Sequence, residues 1–125
     1  MIELSETDFR NIVTKAIDAI PKRYATHIKN LAFVIEDEPN EIQRQKLRLR
    51  QDQSLYGLYE GVPLTQRGAG YNLVLPDKIT IFKRPIEMTS YSQAELEKQV
   101  AQTVWHEVAH YFGLGHGRIH ELEQK

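Results

Sequence analysis

Residues 92–113, SQAELEKQVAQTVWHEVAHYFG, constrain the fold more than any other stretch of this chain. Ser92 followed by Glu95 is a capping-box signature, and Tyr91 and Leu96 are spaced for a hydrophobic staple. Behind that cap Leu96, Val100, Ala101, Val104, Val108 and Phe112 recur at helical spacing, which predicts a long helix. Gly113 supplies its stop, because glycine enters the left-handed conformation that ends helices without steric cost. His106 and His110 lie four apart on this helix, so at about 100° per residue their side chains sit roughly 40° apart on one face, one turn above the other.

Two imidazoles so placed can share one metal ion. Zinc accepts nitrogen ligands at about 2.0–2.1 Å, and a catalytic site takes three protein ligands while leaving a fourth position to water. The chain has no cysteine, which excludes disulfides, thiolate ligation and a cysteine nucleophile, so a metal here must use His, Asp or Glu. Gly113 lets the chain leave helical geometry three residues after His110 and turn His116 back toward the ion as a third ligand. Glu107 shares the broad face of the two histidines but adjoins one of them, a placement for a base beside bound water rather than for a ligand. A lone pair of helical histidines is more often structural or exposed than metal-binding. The complete pattern specifies five positions and should arise by chance on the order of once in ten thousand such chains or less.

The upstream sequence supplies a small α+β frame. Ser5 with Asp8 resembles a capping pair, and Phe9, Ile12, Val13, Ala16, Ile17 and Ile20 predict an amphipathic helix over 5–20, ended by Pro21. In residues 28–39, Leu31, Phe33 and Ile35 alternate with Ala32 and Val34, which suits a central strand apolar on both faces. Residues 40–54 are rich in charge and glutamine and read as a loop or an exposed helix. Their basic members Arg44, Lys46, Arg48 and Arg50 read as a solvated face. Residues 55–71 carry four glycines, a proline and three tyrosines, which is turn chemistry with aromatic anchors. Residues 72–85 read as a strand pair around Pro76-Asp77, with Ile79 and Ile81 on one face, Thr80 and Phe82 on the other, and Pro85 closing it.

At 125 residues the chain suits one domain spanning 1–125. A composition 41% hydrophobic and 26% charged, with a formal charge of -1, is that of a soluble globular protein without a large electrostatic field. Neither nucleic acid nor an anionic membrane is therefore an expected partner. The opening MIELSETDFR lacks a basic segment followed by an apolar run, and no stretch approaches membrane-spanning length, so a cytoplasmic protein is expected.

The pattern His106-Glu107-x-x-His110-x-x-Gly113-x-x-His116 resembles the zinc signature of the metzincin peptidases. LYGLYEGVPLTQRG and LPDKITIFKRPI upstream resemble a small bacterial zincin-like metallopeptidase family, formerly a domain of unknown function. The likeness runs from about residue 30 to residue 116. It implies a minimal α+β zincin-like fold, a small mixed sheet packed on an N-terminal helix and a C-terminal active-site helix. It also implies zinc held by His106, His110 and His116, with Glu107 as general base. The third ligand position varies in that family, with Asp sometimes standing where this chain has His116. Metzincins place a methionine turn after the motif, whereas Met1 and Met88 both precede it here. A glutamate ligand on a later helix lacks room, since Glu121 and Glu123 come too soon. These two and His120 are candidates to orient a ligand imidazole.

The expected activity is hydrolysis of a peptide or protein substrate by a zinc-activated water, with Glu107 accepting its proton. KITIF, directly before the helix, is the candidate edge strand for an extended substrate. Tyr71, Tyr111 and Arg67 have the chemistry to stabilise a developing oxyanion, although a tyrosine more commonly packs half-buried with its hydroxyl in water. Trp105 and Phe112 are assigned to the core. Two rival readings are a zinc module that binds without turnover or serves a single partner, and a metal-dependent ribonuclease. The presence of Glu107 and the lack of a basic surface weigh against the ribonuclease.

Overall fold

The computed structural model describes residues 1–68 and 76–114. Its first helix, α1 (Glu6–Asp18), is capped by Ser5, whose hydroxyl accepts from the Asp8 amide at 3.1 Å. Phe9, Ile12 and Val13 form its buried stripe. Pro21 then caps a single turn, α2 (Lys22–Ala25). Strand β1 (Leu31–Glu36) leads to α3 (Glu41–Lys46), where Asn40 and Gln43 exchange side-chain and backbone hydrogen bonds in a complete capping box. That reciprocal cap makes the charged stretch a short helix rather than a loop.

The glycine-rich segment holds a strand that its turn chemistry concealed, β2 (Gly57–Glu60), followed by a 3-10 turn over Leu64–Gln66. Next come β3 (Asp77–Phe82), α4 (Lys83–Thr89) and the long α5 (Gln93–Tyr111). Pro85 sits at the third position of α4 rather than closing the strand; the first turn of a helix has no intrahelical use for the missing amide.

Among the described residues the sheet order is β1-β3-β2, with β1 parallel and β2 antiparallel to β3, so the architecture is α+β with a mixed sheet. Two expectations change. β1 lies at the edge of this sheet and is only partly buried along its length, whereas β3 takes the centre. KITIF is therefore a middle strand, hydrogen-bonded on both sides, and offers no free edge to a substrate. Both strands are apolar on two faces, and only the pairing decides which is covered on both sides.

One core unites the elements. Phe9 from α1, Ile79 and Ile81 from β3, Ile86 from α4 and Leu96, Val100 and Val108 from α5 are all fully buried. Each such side chain contributes roughly 1.5–3 kcal/mol of transfer free energy, which seats β3 and α1 firmly on α5. The cap of α5 is Ser92, accepting from the Glu95 amide at 3.1 Å. Its expected staple is absent, for Tyr91 is 79% exposed. The extended stretch into the helix alternates sides, and Ser90 takes the inward position, its hydroxyl bonded to the Ile86 carbonyl. Ala101 likewise falls on the exposed side, and Thr103 is buried in the stripe instead.

Candidate active site

The end of α5 shapes the site. Gly113 has φ 78°, its amide donates to the His110 carbonyl at 2.8 Å, and the Leu114 amide reaches back to the Ala109 carbonyl at 3.0 Å. This is a Schellman ending, which the glycine predicted. A Cβ at this glycine would collide with the Thr65 side chain, so the 3-10 turn packs closely against the point where the chain leaves the helix. His116 lies outside the described residues, as do Tyr71, His120, Glu121 and Glu123.

His106 and His110 stand as their spacing requires, ring centroids 4.7 Å apart. One ligand atom each from His106, Glu107 and His110 lie within 4.8 Å of one another. The two imidazoles so placed fit zinc, a borderline ion that takes nitrogen donors, with the Glu107 carboxylate close beside them. Both histidines are half-buried, while Glu107 is 6% exposed.

Glu107 is held by more than its own helix. Its Oε1 accepts the Tyr59 backbone N–H at 3.0 Å and lies 3.2 Å from His110 Nδ1. That hydrogen bond to the carboxylate raises the His110 pKa above the ordinary imidazole value, with partial burial acting in the opposite direction. The Tyr59 amide is available because β2 is an edge of the sheet among the described residues. Phe82 donates to the Tyr56 carbonyl at 2.8 Å, so alternate residues turn their backbone groups inward to β3, and those of Gly57 and Tyr59 point outward.

Gly57 lets β2 approach α5 this closely. A Cβ there would lie 2.6 Å from Thr103 Cγ2 and 3.2 Å from Glu107 Cγ. Beside this contact a groove of about 360 Å³ opens between the start of β2 and α5. Its lining includes Tyr56, Gln99, Gln102 and Thr103, and it reaches both His106 and Glu107.

Behind β2 lies a second polar group. Asp77, 3% exposed, accepts from the Tyr59 hydroxyl at 2.5 Å and from Arg67 at 2.6 Å. Burial foremost, then the bond to Asp77, pushes the Tyr59 hydroxyl well above the usual phenol pKa, while Arg67 acts to lower it. Arg67 also donates to the Val62 carbonyl at 2.8 Å and lies over the Tyr111 ring. Tyr111 is fully buried, and its hydroxyl donates to the Lys29 carbonyl and accepts from the Lys29 amide. Arg67 and Tyr111, both candidates for stabilising charge on a substrate, are thus engaged with the protein itself. Trp105 and Phe112 pack partly buried against the core, as assigned, with Tyr24 against both rings.

Sequence reading missed the Tyr59 amide, Gly57 and Asp77. The available signal was the pair of strand-favouring tyrosines in LYGLYE, masked by Gly57, Gly61 and the nearby Pro63, which all favour turns. No curated protein matches this sequence. The sequence pattern of the zincin-like metallopeptidases does match, over residues 28–125, and the chain belongs to that family, in broad class the zinc metallopeptidases.

Proposed function

We propose that the protein is a zinc-dependent peptidase, with His106, His110 and His116 as metal ligands and Glu107 as general base. The observation that carries this reading is the seating of Glu107. It is a buried carboxylate fixed by an edge-strand amide, beside two metal-competent imidazoles and open to a groove. Bound by those histidines, zinc would supply an acidified water and a Lewis acid for the scissile carbonyl.

The chain's own groups do the rest. Glu107 takes the proton of the attacking water on a carboxylate oxygen, and later delivers it to the amine nitrogen as the C–N bond breaks. The products are a new carboxylate and a free amine. The Tyr59 amide holds the carboxylate in place through both transfers, so little reorganisation is needed. The substrate lies extended along the outer edge of β2, where the backbone of Gly57 and the Tyr59 carbonyl face outward, and its side chains enter the groove beside Thr103.

The test measures zinc content and release of peptides from an unstructured protein, in wild type, Glu107→Ala and His110→Ala. Wild type is expected to bind zinc and cleave, Glu107→Ala to bind zinc without cleaving, and His110→Ala to lose zinc. Loss of zinc in Glu107→Ala would refute the base assignment, and full zinc in His110→Ala the ligand assignment.

A further inference from the structure

Among the described residues Glu107 Oε1 is held from two sides, by His110 of its own helix and by the backbone of a strand, and that strand is itself anchored from behind. β2 has only four residues, and its outer edge faces the site. Tyr59 joins the two sides. Its backbone N–H holds Glu107 Oε1 at 3.0 Å, and its hydroxyl donates to Asp77 Oδ2 at 2.5 Å. Asp77 in turn is paired with Arg67 at 2.6 Å, with side chains 3% and 11% exposed. The Asp77 amide donates to the Asn30 carbonyl at 2.9 Å, which ties this carboxylate to the start of β1. Space around the group is closed as well. A Cβ on Gly61 would run into the Asp77 carboxylate, and one on Gly57 would strike Thr103 and Glu107.

We propose that Tyr59, Asp77 and Arg67 form a positioning device for Glu107, setting the height of the β2 edge over α5 so that the Tyr59 amide meets the carboxylate. The proposal rests on the peptidase reading only for its kinetic consequence. A buried ion pair costs desolvation and is weak evidence of a purely stabilising role, whereas a fixed register is the role best attested for such pairs. Here the register concerned is that of the strand that touches the base. None of the three side chains acts on substrate; each acts through the amide of residue 59.

Two arms test this. Because the amide of residue 59 points out of the sheet, its hydrogen-exchange protection reports the bond to Glu107 directly and needs no turnover. Tyr59→Phe keeps the ring and the Asp77–Arg67 pair, so it folds even where Asp77→Asn does not. Both variants are expected to lower protection at residue 59 by about tenfold or more, approaching the level of Glu107→Ala, with zinc content unchanged. In zinc-loaded protein, Tyr59→Phe is expected to lower kcat about tenfold or more with KM within about twofold, and to have no further effect in a Glu107→Gln background.

Unchanged protection at residue 59 in Tyr59→Phe overturns the proposal whether or not the protein cleaves peptides. Equal kinetic losses with and without Glu107 also overturn it, since they would reveal a general structural role. Reduced protection in a protein that cleaves nothing would sink the peptidase reading alone and uphold the positioning of Glu107.

Discussion

Gly57→Ala tests the contact between β2 and α5 on which the site depends. The added methyl would sit 2.6 Å from Thr103 Cγ2, where carbon atoms prefer about 3.5–4.0 Å, so strand and helix must separate by roughly 1 Å. Overpacking of this kind costs about 1–3 kcal/mol. The same displacement stretches the 3.0 Å bond from Tyr59 to Glu107 toward about 4 Å, past hydrogen-bonding range, at about 1.5–3 kcal/mol for a charged acceptor. Removing a glycine from a strand returns about 0.5–1 kcal/mol. The net loss is about 3 kcal/mol. With an unfolding entropy of about 2.1 cal/mol/K per residue over 125 residues, Tm should fall by about 10 °C in a calorimetric scan. Zinc content should persist, because His106 and His110 sit on α5, while cleavage falls. Thr103→Ser removes the offending methyl and keeps the hydroxyl that donates to the Gln99 carbonyl at 2.7 Å, so the double variant should recover most of the Tm. A single variant within about 2 °C of wild type, or a double variant no better than the single, would refute the close packing invoked here.

Other consequences follow from the same geometry. The His110 pKa is raised by Glu107, and a proton on the ring competes with zinc, so zinc affinity should fall with pH through a midpoint above about 6.5. Chelator-competition titrations in Glu107→Gln should show that midpoint moved down, and an unmoved midpoint would contradict the cause given. The sign for metal-free protein is opposite in sense: the pair's stabilisation is complete below the unfolded imidazole pKa of about 6.5 and is lost as pH rises through the raised folded value. Tyr111→Phe leaves the Lys29 amide and carbonyl without their partner, which should cost about 2 kcal/mol in urea unfolding with zinc affinity unchanged. A neutral result there would mean that water replaces the hydroxyl.

The parts of the site carried by one helix were legible in the sequence, since helical spacing alone sets two imidazoles on one face and a glycine ends α5 through backbone conformation. Leu96, Val100, Val104 and Val108 were likewise identified as core residues by their period. What spacing does not encode is pairing between distant segments. β1 and β3 are both apolar on two faces, and their order in the sheet depends on which neighbours they find. β2 was hidden because Gly57 serves a close approach to α5 rather than a turn, a purpose visible only with Thr103 beside it. Tyr59 contributes to the site through a backbone amide that every residue but proline has, so its identity carried no signal. Asp77 followed a proline in an apparent turn, and its burial against Arg67 is a tertiary event.

The function proposed for this site depends on Glu107 acting as base in a zinc peptidase. Mass spectrometry of a diverse peptide library incubated with zinc-loaded wild type, and in parallel with zinc-loaded Glu107→Ala, tests it most directly. New termini are expected from wild type alone, with zinc content equal in both proteins. Identical products from both, or none from a fully zinc-loaded wild type, would contradict it.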